Sequence, residues 1–133
     1  MLSTIETIKI VILDQTSSGE TLNKLKMEFE SATVKVRDII SGRVRQETKN
    51  LFESAKKSKY SFIGQTEIEK LNSKPTNITE LQDKKVKYAL EMFQRNGYLV
   101  LIDDEQVTSL DQEVKLTNST EITFLKLVPL IGG

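Results

Sequence analysis

The run Glu121-Ile122-Thr123-Phe124-Leu125-Lys126-Leu127-Val128 alternates with period two, Ile122 and Phe124 on one face and Thr123, Leu125 and Leu127 on the other. That spacing predicts a β-strand. Pro129 follows and has no N–H to give to a ladder, so regular pairing is expected to weaken there, and Leu130-Ile131-Gly132-Gly133 completes the sequence. Upstream, Tyr98-Leu99-Val100-Leu101-Ile102 is a continuous apolar run turned by Asp103-Asp104, with Val107 beginning a short return strand. Leu110 and Leu116 read as buried anchors of an irregular loop between these strands.

The amino-terminal end carries a matching signal. Ile8, Ile10 and Ile12 share one face of a β-branched run, and Asp14 to Gly19 is a cluster of turn formers. Leu25-Lys26-Met27-Glu28-Phe29 then alternates again, which predicts a β-hairpin. Thr33 is a candidate N-cap for a long amphipathic helix from about 34 to 57, with Val36, Ile40, Val44, Leu51 and Ala55 at helical spacing. Gly42 inside it marks close packing or a break, at a cost of about 1 kcal/mol relative to Ala. Residues 58 to 79 lack a clear period and read as an insertion. Thr79 is a candidate cap for a second helix through Val86, Ala89, Leu90 and Phe93, ended by a left-handed cap at Asn96-Gly97. A helix after an opening hairpin, and a last strand closing against the first, describe an α+β roll: a mixed sheet with helices on one face.

The chain has 133 residues, 38% hydrophobic and 29% charged, which fits one globular domain and is too apolar for wholesale disorder. It contains neither Cys nor His, which removes disulfides, thiol nucleophiles, imidazole bases and thiolate or imidazole metal sites. Lys plus Arg and Asp plus Glu both number 19, so the basic excess expected of a nucleic-acid binder is missing. No apolar run approaches the roughly 20 residues of a membrane span, and Met1 to Glu6 does not look like a secretory signal. The expectation is a cytoplasmic protein that is not itself an enzyme and binds neither nucleic acid nor membrane. Asp103-Asp104-Glu105 reads as an acidic hairpin turn, without the loop pattern of a divalent-cation site, so no metal is expected.

Zero net charge conceals a gradient. Thr33 to Tyr60 holds eight basic residues against three acidic ones, whereas Tyr98 to Gly133 holds six acidic residues against two basic ones. Arg37, Arg43, Arg45 and Lys49 therefore form a candidate interaction surface, either for a partner or for head-to-tail association of copies of this chain.

The order of elements and the Gly-Gly end resemble the ubiquitin-like β-grasp family. Leu99 to Gln106, Leu116 and Glu121 to Gly133 are similar to the carboxyl-terminal half of the small subunit of molybdopterin synthase, and to bacterial ubiquitin-like modifiers. The likeness spans residues 7 to about 56 and 80 to 133, leaving about 58–79 as an insertion in a single domain of residues 1–133. Residues 129–133 are then an extended tail. Unlike the basic segment before the glycines of ubiquitin, Leu127-Val128-Pro129-Leu130-Ile131 is apolar, which places the chain on the sulfur-carrier-like or bacterial modifier branch.

The resemblance implies a bacterial modifier that is adenylated at the Gly133 carboxylate by an E1-like activating enzyme. That partner uses ATP and Mg, and the chain itself binds no cofactor. E2-like conjugating enzymes, protein targets and a deconjugating protease are the other implied partners. Gly132 and Gly133 have no Cβ, so an enzyme can close around their backbone. Pro129 reduces the entropy lost on threading the tail, while Leu127, Val128, Leu130 and Ile131 offer apolar docking area. Two alternatives stand beside this reading: a sulfur carrier with a Gly133 thiocarboxylate, and a self-assembling interaction module.

Overall fold

The computed structural model describes residues 7–53, 62 and 78–127. The opening hairpin consists of β1 (Ile8–Thr16) and β2 (Thr21–Phe29). Its turn is shorter than the sequence predicts. The strand runs on through Asp14, and the turn closes with the Gly19 N–H donating to the Thr16 carbonyl at 2.9 Å. Gly19 sits at φ +94°, a backbone conformation that L side chains rarely adopt. The register between the strands shifts between Asp14 and Gln15, which lets the hairpin close at that point.

Next come β3 (Thr33–Lys35), α1 (Val36–Glu53) and α2 (Ile78–Gln94). Thr33 is not the helix cap that its residue type suggests. It begins β3, which pairs antiparallel with β6 (Glu113–Lys115), Val34 facing Val114. The Val36 N–H, at the start of α1, donates instead to the Gln112 carbonyl at 3.0 Å. A backbone oxygen thus does the work of a cap side chain. The expected extension of this helix to about 57 lies outside the described residues.

Helix α2 begins one residue before Thr79 and ends as read. Asn96 takes φ 58°, and its N–H donates to the Phe93 carbonyl at 3.1 Å. The stretch 58–79 read as an insertion lies outside the described residues, except for Phe62 and the first two residues of α2.

The remaining strands are β4 (Tyr98–Ile102), β5 (Glu105–Val107) and β7 (Glu121–Lys126). They join the hairpin in a mixed five-stranded sheet of order β2-β1-β7-β4-β5. Strand β7 is parallel to β1, and every other pair is antiparallel. The sheet and the helices make this an α+β fold. Register explains the core of the sheet, because paired residues share a face. Ile12 stands beside Ile122, Asp14 beside Phe124, Phe124 beside Val100 and Val100 beside Val107. Ile10, Ile12, Asp14, Val100 and Ile122 are fully buried. Leu110 and Leu116 are buried as expected. The loop between them also carries β6, which the sequence pattern does not reveal.

The chain divides into two compact units, Met1–Val36 with Phe93–Gly133, and Arg37–Met92. The first holds both sheets and the second most of both helices.

Candidate functional site

The carboxyl-terminal segment is delivered by β7, and the sequence explains why this strand is firmly placed. Its first residue is locked twice to the β4–β5 turn. The Glu121 N–H donates to Asp103 Oδ1 at 2.9 Å, and the Asp103 N–H donates to the Glu121 carbonyl at 2.8 Å. Asp103 and Asp104 hold this two-residue turn at φ 48° and 69°, values that short polar side chains tolerate. Upstream, the Thr117 N–H donates to Thr120 Oγ1 at 2.9 Å, and Asn118 Oδ1 accepts the Lys9 N–H at 3.2 Å.

The middle of β7 is held by packing. Phe124 stacks on Tyr98 with ring centroids 5.9 Å apart, and Tyr98 meets Phe93 at 6.1 Å. Such aromatic pairs add about 0.5–1.5 kcal/mol beyond area burial. With β1 on one side and β4 on the other, β7 is a central strand, and Leu127 beyond its end is exposed. Val128, Pro129, Leu130, Ile131, Gly132 and Gly133 lie outside the described residues.

The four residues read as a basic interaction surface separate. Arg37 is half-buried and Lys49 is exposed. Arg45 is exposed but engaged: its Nη2 meets Asp83 Oδ1 at 3.1 Å, and its carbonyl accepts from Gln82 Nε2 at 2.9 Å. An exposed pair of this kind stabilises by at most about 1 kcal/mol. Arg43 does not belong to that surface. Only 1% exposed, it donates from Nε to Glu47 Oε2 at 2.7 Å, and its guanidinium lies 5.0 Å from the centre of the Phe62 ring. The helical period turns this position inward, since Arg43 follows Ile40 by three residues and Val36 by seven.

Glu47 is the centre of a buried charge cluster that residue types alone do not reveal. Besides Arg43 it accepts the Phe62 N–H, at 3.2 Å on Oε1 and 3.4 Å on Oε2. Lys85 of α2 is likewise 1% exposed and interacts with both Glu47 and Arg43. Burial pushes the Lys85 ammonium below its ordinary pKa, Glu47 pulls it back up, and Arg43 pushes it down again.

The sign of the linkage is fixed by that lowering. Between the lowered native value and the unfolded value of about 10.4, the unfolded chain binds more protons, so stability rises with pH. The penalty of burying Lys85 is complete below the native pKa and is relieved above it. Urea midpoints from pH 7 to pH 10 should therefore climb more steeply in the natural protein than in Lys85→Met. Equal slopes would contradict this placement of Lys85.

No family model matches the chain, and neither the curated proteins nor the solved structures contain a match to it. Among the described residues, no group of three His, Cys, Asp or Glu side chains converges as metal ligands would. No helix among them is long and apolar enough to cross a membrane.

Proposed function

We propose that this chain is a bacterial ubiquitin-like modifier with a β-grasp body, activated at the Gly133 carboxylate and conjugated to target proteins. The observation that carries the reading is the parallel pairing of β7 with β1 in the middle of the sheet. An opening hairpin, a helix and a final strand closing beside the first are the order on which the β-grasp resemblance rests. Strand β7 then aims its carboxyl end out of the sheet at an exposed Leu127, six residues before Gly133.

In this reading the protein supplies no catalytic group. The activating enzyme forms an acyl-adenylate on Gly133, and a thiol displaces AMP from it. The protein's part is to hold β7 still while Gly132 and Gly133 enter a narrow site. Incubation with ATP, Mg and an E1-like activating enzyme from the same host should yield a thiol-sensitive adduct with that enzyme. Lack of any ATP-dependent adduct would reject the proposal. If the product is instead the free chain with sulfur in place of one terminal oxygen, the sulfur-carrier alternative is the correct one.

A further inference from the structure

A groove of about 330 Å³ opens between β5 and β6, both in the unit that holds the sheets. This is the small end of the roughly 300–1,000 Å³ range of ligand clefts. Two strands wall it, and among the described residues each has one edge in use. Strand β5 ends the five-stranded sheet and pairs with β4, while β6 pairs with β3.

Register shows which backbone groups face the unused edges. The Asp103 N–H bonds to Glu121, so by alternation Leu101 turns its own N–H and C=O toward β7. Leu101 and its β5 partner Gln106 are then a non-hydrogen-bonded pair, and Gln106 directs its backbone groups away from β4. The same reasoning applies to β6. Val36 donates to Gln112, and Leu116 donates to Ala32 at 2.6 Å. Lys35–Glu113 and Thr33–Lys115 are therefore the non-bonded pairs, and the backbone groups of Glu113 and Lys115 face away from β3. Gln106, Glu113 and Lys115 all line the groove. Its charged side chains are Asp103, Glu105 and Glu113 against Lys115 alone.

We propose that this groove docks an extended peptide segment of a partner protein bearing lysine or arginine, which adds as a strand to the open edge of β5. Backbone bonds to Gln106 give affinity, and the carboxylates select a cationic segment. The three-residue length of β5 and its Glu105 carboxylate keep it from pairing indiscriminately. This inference is independent of the conjugation reading, because it makes no use of Gly133.

The probe is a capped peptide of about eight residues alternating lysine and valine, compared with its glutamate–valine counterpart. Titration followed by amide chemical shifts should perturb Gln106, Glu113 and Lys115, with a Kd on the order of 0.1 mM. The glutamate peptide should bind at least about tenfold more weakly, and added salt should weaken the lysine peptide several-fold. Gln106→Pro removes the outward N–H while sparing those that β4 uses, and should cost about tenfold. The double variant Glu105→Lys with Glu113→Lys should reverse the preference between the two peptides. Shifts confined to other surfaces, equal binding of both peptides, an unaltered preference in the double variant, or no shifts up to about 1 mM peptide would each overturn the proposal.

Discussion

Glu47→Ala should destabilise the protein by about 3–5 kcal/mol, the cost of leaving a buried ion pair without one member. Arg43 and Lys85 are each 1% exposed, and Glu47 supplies a negative charge that both face. Removing its carboxylate takes a negatively charged neighbour from two buried cations and an acceptor from the Phe62 N–H. Against a total stability of about 5–15 kcal/mol, this loss brings the folded state close to collapse. Replacing the cluster as a whole should behave differently. The triple variant Arg43→Met, Glu47→Leu, Lys85→Met should be neutral or more stable by up to about 4 kcal/mol, because apolar packing replaces charges that are costly to bury. Urea unfolding of both proteins checks this. A loss under about 1 kcal/mol in Glu47→Ala would show that the cluster is open to water.

Deleting Gly133 should reduce ATP-dependent adduct formation to background, and Gly133→Ala should do the same without shortening the chain. Deletion withdraws the carboxylate by up to about 3.5 Å. Misplacement of a reacting group by about 1 Å can already cost about 100-fold. The alanine variant keeps the length and adds only a Cβ, which tests whether the partner closes on bare backbone. Since β7 and its anchors end before this point, both variants should unfold at the same urea concentration as the natural protein. An unchanged adduct yield from the truncated chain would remove Gly133 from the chemistry.

The parts of the fold visible in the sequence are those where period and residue type agree. In β7, Ile122 and Phe124 alternate with Thr123 and Leu125 as in a strand; Ile122 and Phe124 are buried, and so is Thr123 between them. In the continuous apolar run of β4, Tyr98 and Val100 are buried and Leu99, Leu101 and Ile102 are half-buried. Strands β3 and β6 are hidden because each has three residues and a single apolar one, Val34 or Val114, too few to show a period.

Charged residues mislead where period and type conflict. Arg43 lies on the Val36–Ile40 stripe of α1, and Lys85 lies four residues before Ala89 and eight before Phe93 on α2. Asp14 follows Ile10 and Ile12 at period two; it is fully buried, with Asn23 Nδ2 at 3.3 Å from its Oδ2. In each case spacing signals burial and residue type argues against it. The Arg43–Glu47 spacing of i, i+4 on an apolar stripe is the one advance sign of an ion pair turned inward. The two outward-facing strand edges of the groove have no sequence signal at all, since they follow from register.

The most direct measurement is the identity of the bond that joins this chain to an acceptor. Trypsin cuts after Lys126, so a conjugate made through the end of the chain leaves Leu127-Val128-Pro129-Leu130-Ile131-Gly132-Gly133 attached to the target. Mass spectrometry of conjugates purified from the native host should find that seven-residue remnant, joined through the Gly133 carbonyl to an amine or hydroxyl of another protein. Conjugates linked through any other residue, or a chain recovered only with a free Gly133 carboxylate while its activating enzyme is active, would contradict the account.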